Sequence, residues 1–198
     1  MPVSTQPSQA RRRPYDAESV LAVAVAVFNE RGYDGTSMED LSRAAGITKS
    51  SIYHHVSGKS ELLRRALDRA LDALFAVLDE PVEGPALHRL ERVIHRSVLI
   101  LDAELPYVTL LLRVRGNSSV ETDALARRRD FDPRVADLVR AAAEDGDLRA
   151  GIDPALATRL IFGLVSSISE WYRPERGATA GHLADAVVEL VLHGLQRS

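Results

Sequence analysis

Apolar residues recur every three or four positions along most of the chain, and no stretch shows the strict alternation of a half-buried strand. Near the N-terminus, for example, Val20, Leu21, Ala24 and Val25 fall on one face of a helix that Asp16 can cap. Prolines and glycines punctuate this pattern. It predicts an all-α protein of about nine helices, at 15–31, 38–45, 49–55, 58–79, 86–105, 107–115, 120–144, 154–172 and 180–195. The seventh should kink or split near Asp132, because Pro133 follows.

The stretch 36–63 carries the most specific pattern in the chain. Ser37 can cap one helix, and Asp40 stands where a capping-box partner belongs. Gly46 suits the left-handed residue after that helix, and Thr48 can cap the next one. This second helix is short and has one apolar residue, Ile52, near its middle. Because so short a helix is unstable alone, it must be held through Ile52 while its polar side chains face outward.

A helix, a short turn with glycine and a polar helix form the helix-turn-helix arrangement, whose second helix enters the major groove of DNA. Lysines suit phosphate, hydroxyls add neutral phosphate bonds, and polar side chains of the second helix point toward base edges. The predicted DNA-binding residues are Thr36, Thr48, Lys49, Ser50, Ser51, Tyr53, His54 and Lys59. For Tyr53, a packed ring with a solvated hydroxyl is the alternative, and the two roles can coexist.

Stretch 28–63 resembles the DNA-binding region of the TetR family of bacterial repressors. The residues that carry the resemblance are Phe28, Gly32, Tyr33, Thr36, Leu41, Ala44, Gly46, Ile47, Lys49, Tyr53, His54, Lys59 and Leu62. The resemblance implies a three-helix DNA-binding domain followed by a helical ligand-binding and dimerisation domain. In one departure, Gly58 stands where the family usually has serine or aspartate. The cap of the following helix should therefore be weaker or be moved to Ser57.

Composition narrows the class of protein. The 198 residues include no cysteine and carry a formal net charge of −3, which excludes disulfides, thiolate metal sites and a generally basic surface. The longest apolar run, 20–28, is too short for a bilayer, and no secretory signal precedes it, so we expect a cytoplasmic protein without a membrane partner. We divide the chain into a disordered arm at 1–14, a DNA-binding domain at 15–60 and a body at 61–198. The arm ends in three arginines that either reach DNA or only add solubility.

The last two predicted helices carry more apolar surface than one neighbouring helix would cover. We predict that they form a homodimer interface, as the resemblance also implies. The alternative is a monomer in which other helices cover these stripes. The predicted interface residues are Leu156, Leu160, Gly163, Leu164, Ser167, Leu183, Val187, Leu190 and Val191. Two linked recognition helices would read half-sites about 34 Å apart.

Stretch 146–174, GDLRAGIDPALATRLIFGLVSSISEWYRP, resembles a TetR subgroup that includes repressors of fatty-acid, phenylacetate and sterol breakdown. The subgroup's effectors are acyl-coenzyme A thioesters, and the prolines at 106 and 133 should leave room for an acyl chain. The predicted ligand-binding residues are His95, Tyr107, Arg113, Trp171 and Arg173. Arg127, Arg128 and Arg129 offer further cations, although such a run is often a solvated face.

Catalytic chemistry has no support in the sequence, since no hydrolase, phosphate-loop or dinucleotide motif occurs. His88, Glu91 and His95 share one helix, but three ligands from a straight helix rarely close a tetrahedral metal site. We therefore expect no enzymatic activity, metal or cofactor. The sequence predicts a repressor of operator DNA released by a small-molecule effector, with an acyl-coenzyme A favoured. An efflux-type regulator binding a hydrophobic drug, and a ligand sensor or enzyme with a relic DNA-binding head, remain alternatives.

Overall fold

The computed structural model describes residues 16–149, 151–174, 177 and 179–195, without the side chains of 194 and 195. This part of the chain forms ten helices. They are α1 (Ala17–Arg31), α2 (Met38–Ala45), α3 (Lys49–Tyr53), α4 (Lys59–Asp79), α5 (Ala86–Ala103), α6 (Leu105–Arg113), α7 (Ser119–Arg129), α8 (Phe131–Glu144), α9 (Pro154–Trp171) and α10 (Ala180–Leu195). The all-α prediction is confirmed. None of these helices is both long and apolar enough to span a bilayer. The predicted arm at 1–14 lies outside the described residues.

Side chains fix the starts of several helices, as the sequence predicted. Asp16 accepts the Ser19 amide at 2.8 Å, which caps α1. At α2 the Ser37 hydroxyl accepts the Asp40 amide at 3.2 Å, and the Asp40 carboxylate accepts the Ser37 amide at 3.0 Å. These bonds satisfy amides that have no partner inside the helix, so each start is set locally.

Prolines explain where the structure departs from the predicted boundaries. The predicted helix 120–144 is two helices that meet at Asp130, with Pro133 at the third position of α8. Pro106 lies in the first turn of α6 and does not separate two helices as we expected. In a first turn the amide that proline lacks would have no helical partner, so both positions cost little. The split predicted near Asp132 is confirmed, and counting its two parts separately gives ten helices among the described residues.

Helix α4 joins two apolar cores. The first contains its N-terminal half, with Leu62 and Leu63 fully buried against α1 to α3, α6 and α7. The second core contains Val77, near the C-terminal end of α4, together with residues of α5, α8, α9 and α10. Truncating one such buried leucine to alanine costs about 2–5 kcal/mol, so α4 is firmly held at its DNA-proximal end. The proposed division into 15–60 and 61–198 remains a prediction, because α6 and α7 share a core with the head.

Candidate nucleic-acid interface and ligand chamber

Helix α3 is held by its apolar side and presents polar groups to solvent. Ile52 is fully buried and Val56 nearly so, within the same core as Leu41 of α2. Gly46 adopts φ 65° and ψ 29°, the left-handed conformation that turns the chain from α2 toward α3. The opposite side of α3 exposes Lys49, Ser50, Tyr53 and His54, and 51% of Tyr53 is accessible. The arrangement is suited to entering a DNA groove.

The N-terminus of α3 carries a cluster of three hydroxyls. Thr48 Oγ1 accepts the Ser51 amide at 3.2 Å and lies 2.9 Å from Ser50 Oγ and 2.8 Å from Ser51 Oγ. Thr48 therefore caps α3, as predicted. Ser50 is exposed, whereas Ser51 is half-buried. The exposed Ser50 hydroxyl can exchange its bond with the Thr48 hydroxyl for one with a base or a phosphate.

Lys49 forms an ion pair with Glu39 of α2, and both side chains are about half exposed. Exposed pairs of this kind contribute about 0–1 kcal/mol, so a phosphate can displace Glu39 at little cost. Direct DNA contact by Thr48, Lys49, Ser50, Ser51, Tyr53 and His54 stays a prediction on this geometry.

Two other residues of the predicted DNA-binding set have structural partners instead. Thr36 is buried, and its hydroxyl donates to the Gly32 carbonyl at 2.7 Å. Lys59 Nζ donates to the Tyr33 and Thr36 carbonyls, at 2.8 Å each, and lies 4.2 Å from the centre of the Tyr33 ring. These bonds attach the start of α4 to the loop after α1. These contacts give Thr36 and Lys59 roles in positioning α4, and their contact with phosphate stays a prediction.

The start of α4 has no capping side chain at its N-cap residue, Gly58. Instead, the Glu61 carboxylate accepts the amide of Ser57, the residue before the N-cap. Hydrogen bonds from Ser57, assisted by the Arg65 guanidinium, lower the pKa of Glu61 from 4.5 to about 2. The cap predicted to be weak at Gly58 is thus supplemented by the bond between Ser57 and Glu61, the third residue of α4.

A cavity of about 80 Å³ lies in the body among α4 to α9, and we call it the chamber. Its lining is mostly aliphatic and aromatic. It consists of Ala70, Leu74, Ser97, Ile100, Leu101, Val108, Leu111, Leu112, Arg128, Phe131, Asp132, Phe162, Val165 and Ser166. Two of these residues, Ala70 and Leu74, belong to α4. A molecule in the chamber therefore touches the helix whose start is bound to the DNA-binding head.

A more polar depression of about 430 Å³ adjoins the chamber, and we call it the vestibule. It is lined by Leu125, Arg128, Arg129, Asp132, Arg159, Phe162, Gly163 and Ser166. Within the described residues, none of its three arginines forms an ion pair, and Asp132 is its single carboxylate. Arg127 is separate, because it turns to Asp68 and Asp72 on α4. With three guanidinium groups against one carboxylate, the vestibule is a net positive site suited to an anion.

Phe162 lines both the chamber and the vestibule and so stands between them. Its ring meets Phe131 edge to face at 5.0 Å, and Phe131 meets Phe75 of α4 at 5.7 Å in the same way. Buried aromatic pairs of this geometry contribute about 0.5–1.5 kcal/mol beyond their burial. The three rings form a packed connection from α9 through α8 to α4.

The five predicted ligand residues line neither the chamber nor the vestibule, and their role in ligand binding stays a prediction. His95 contacts Asp185 of α10 at 3.2 Å, and Arg113 donates to the Asn29 carbonyl of α1 at 2.8 Å. The guanidinium carbon of Arg69 lies over the Tyr107 ring, 4.2 Å from the centre of that ring.

The remaining two ligand candidates lie at the end of α9, away from the chamber. Trp171 is mostly exposed, and Arg173 donates to the neighbouring Tyr172 carbonyl at 2.7 Å. None of the five residues belongs to the lining of the chamber or the vestibule, and Arg113 lines a separate depression beside α1.

The predicted dimer residues divide into two groups. Leu156, Leu160 and Leu190 are exposed, with 66% of Leu160 and 65% of Leu190 accessible, and Gly163 and Ser167 are exposed beside them. We call these five residues the dimer face. Val187 is buried in its own core, and Leu164, Leu183 and Val191 are half-buried against that core. We correct the assignment of Val187 because its side chain is already covered within the subunit.

Sequence reasoning missed Ser97, Phe131 and Phe162 as site residues. Ser97 alone left a signal, as a polar residue within the apolar stripe that Ile94, Val98 and Leu101 mark on α5. Phe131 and Phe162 are indistinguishable in sequence from ordinary core residues.

Comparison with known families matches both parts of the chain. Residues 20–66 match the family model for bacterial regulatory proteins of the tetR family. Residues 83–195 match the model for the tetracyclin repressor-like C-terminal domain, which alone covers more than half of the chain.

Individual proteins resemble the chain over most of its length. A solved member of the TetR transcriptional regulator family from Streptomyces coelicolor A3 is 61% identical, with a TM-score of 0.83 over 90% of this chain and 91% of that one. The transcriptional repressor KstR2 of Rhodococcus jostii is 29% identical over 188 residues, 89% of each chain. The structure of AibR in complex with isovaleryl coenzyme A and operator DNA is 22% identical, with a TM-score of 0.74 over 88% of this chain and 96% of that one. This last likeness shows the shared fold.

Proposed function

We propose that this chain, which belongs to the TetR family of bacterial regulatory proteins, is a dimeric repressor released from its operator by an acyl-coenzyme A thioester. As a member of that family it is a DNA-binding transcriptional regulator. The observation that carries the proposal is a five-residue helix, α3, that is anchored by buried Ile52 and turns its polar side chains outward. It acts at the nucleoid in the bacterial cytoplasm and has no enzymatic activity.

Two linked copies of α3 are needed to read two half-sites. The dimer face supports this, since its exposed leucines leave a large apolar surface uncovered within one subunit. Gly163 adds a close-approach point, because a Cβ built there would meet no atom of its own chain within 4 Å. Pairing through α9 and α10 fixes the separation of the two α3 helices, which half-site spacing demands.

The effector class follows from two adjoining environments of opposite character. The chamber accepts an apolar group, and the vestibule offers Arg128, Arg129 and Arg159 to an anionic one. A hydrophobic acyl group joined to a phosphate-bearing carrier matches both, because guanidinium groups bind phosphate through paired hydrogen bonds. Among its relatives, AibR is seen with isovaleryl coenzyme A.

Release requires the ligand to distinguish the two states of the protein. The vestibule contacts α7, α8 and α9 only, whereas the chamber also contacts α4 at Ala70 and Leu74. We infer that the vestibule supplies affinity and that the acyl group in the chamber displaces α4. Because Lys59 binds α4 to the loop after α1, movement of α4 changes the position of the head.

Fluorescence anisotropy of a labelled fragment from the gene's own upstream region tests this function. We expect tight binding without ligand, release by acyl-coenzyme A thioesters, and binding of free coenzyme A without release. Arg129→Ala should raise the thioester concentration needed for release. Arg140→Ala is the matched control, since Arg140 pairs with Asp137 on an exposed face of α8 away from the vestibule.

Two results would replace the proposal. Release by hydrophobic cationic drugs and not by any thioester would identify an efflux-type regulator. Absence of DNA binding in every condition, with an intact dimer, would identify the head as a relic.

A further inference from the structure

Ser97 is a buried residue of the body whose hydroxyl has no hydrogen-bond partner among the described residues. It lies on α5, is 3% exposed and faces the chamber, and its Oγ accepts and donates no hydrogen bond. Its neighbours on the same helix face are apolar, with Ile94 and Val98 fully buried. An unsatisfied buried hydroxyl costs free energy, and such exceptions call for a specific cause.

The other three polar residues that are buried in the described chain are all satisfied. Two further buried atoms without a partner, Asn29 Oδ1 and Arg96 Nε, belong to side chains that make other hydrogen bonds. Thr36 and Thr158 donate to the carbonyls four residues earlier, at 2.7 and 2.8 Å. Glu121 accepts the amides of residues 115, 116 and 117. Helical hydroxyls ordinarily take this route to the backbone. Ser97 does not, and it alone of the four lines the chamber.

An ordered water is a poor partner for Ser97. A buried water needs two to four polar partners, and most of the chamber lining is hydrocarbon. The remaining polar residues of the lining, Arg128, Asp132 and Ser166, also line the vestibule and so lie at the border between the two spaces. The inner part of the chamber therefore presents one hydroxyl in an apolar wall.

We propose that the acyl group of the effector carries an oxygen, as a hydroxyl or a ketone, that hydrogen-bonds to Ser97. This inference rests on the proposed function, because it specifies the acyl group of the same thioester. The chamber, at about 80 Å³, is about half the size of a void that holds benzene, about 150 Å³. It accepts roughly three or four carbon and oxygen atoms without expanding. The effector is thus a short acyl thioester oxygenated beyond its thioester carbon.

A matched series of four-carbon thioesters tests this directly: butyryl-, 3-hydroxybutyryl- and 3-oxobutyryl-coenzyme A. Binding is measured by calorimetry on the full-length protein, and DNA release by anisotropy on the upstream fragment. For the wild type we expect at least one oxygenated thioester to release DNA at a concentration about fivefold below that of butyryl-coenzyme A. That ratio corresponds to about 1 kcal/mol, the net contribution of one hydrogen bond.

Ser97→Ala removes only the oxygen and leaves the helix position filled. It should reduce the preference to less than twofold and should bind butyryl-coenzyme A more tightly than the wild type does. Ser169→Ala on α9 is the control, since that hydroxyl donates to the Ser166 carbonyl and lines neither cavity. It should keep the wild-type preference.

The possible failures are distinguishable. Equal release by butyryl- and oxygenated thioesters in the wild type, or an unchanged preference in Ser97→Ala, would overturn the inference and leave the proposed effector class standing. If no thioester binds at all, the effector class itself is wrong, and the inference falls with it.

Discussion

The strongest local prediction concerns Lys59, which could serve either DNA phosphate or the fold. Its ammonium donates to the Tyr33 and Thr36 carbonyls and lies over the Tyr33 ring. Hydrogen bonds to a charged group contribute about 1.5–3 kcal/mol each when protected. Because Lys59 is half-buried, we expect Lys59→Ala to lower the free energy of unfolding by about 2 kcal/mol in total.

The salt dependence of DNA binding separates the two roles. A lysine that neutralises a phosphate contributes about 0.9 to the slope of log affinity against log salt concentration. Lys49→Ala should lose that increment per subunit and keep its stability, since the pair of Lys49 with Glu39 is exposed. Lys59→Ala should keep the slope while its affinity falls uniformly through misplacement of α4.

Urea denaturation and anisotropy between about 50 and 200 mM salt measure both quantities. The opposite pattern for Lys59→Ala, with unchanged stability and a slope reduced by about 0.9, would refute the structural role.

Three further perturbations follow from the structure. Leu160→Glu places a charge on the dimer face, so sedimentation at micromolar concentration should show monomers. The surface variant Arg140→Glu is the control and should stay dimeric. A dimeric Leu160→Glu would show that the interface lies elsewhere on the protein. Phe162→Trp enlarges the ring between the vestibule and the chamber. The variant should still bind free coenzyme A, but the thioester concentration needed for DNA release should rise at least tenfold. Unchanged release would show that Phe162 does not couple the bound thioester to DNA release. The lowered pKa of Glu61 contributes stability that is complete above about pH 4.5 and is lost as the pH falls toward 2. In Glu61→Gln the free energy of unfolding should therefore fall less between these pH values than it does in the wild type. Identical acid titrations of the two proteins would contradict this.

The sequence predicted those parts of the fold that depend on neighbours along the chain. The caps at Asp16, Ser37 and Thr48 and the turn at Gly46 were foreseen, because each involves residues within a few positions. Helix boundaries at prolines were less exact, since proline is accepted in a first turn as well as between helices.

Contacts between distant parts of the chain were not predictable in the same way. Lys59 was assigned to phosphate from its charge and position, whereas its partners are carbonyls 23 and 26 residues away. The chamber depends on which faces of six helices meet, and periodicity does not give that pairing. Likewise, the apolar stripe of α10 indicates that Val187 is buried. The stripe does not indicate whether residues of the same subunit or of a partner subunit bury it.

The central claim, that α3 reads operator DNA, is tested most directly by a ratio of dissociation constants. The ratio compares the upstream fragment with a shuffled fragment of the same composition, for the wild type and for a Ser50→Ala, His54→Ala double variant. The wild type should bind the upstream fragment at least about a thousandfold more tightly. The double variant should lose roughly tenfold or more of that preference, with its affinity for shuffled DNA unchanged. Equal binding of both fragments by the wild type, or an undiminished ratio in the variant, would contradict the account.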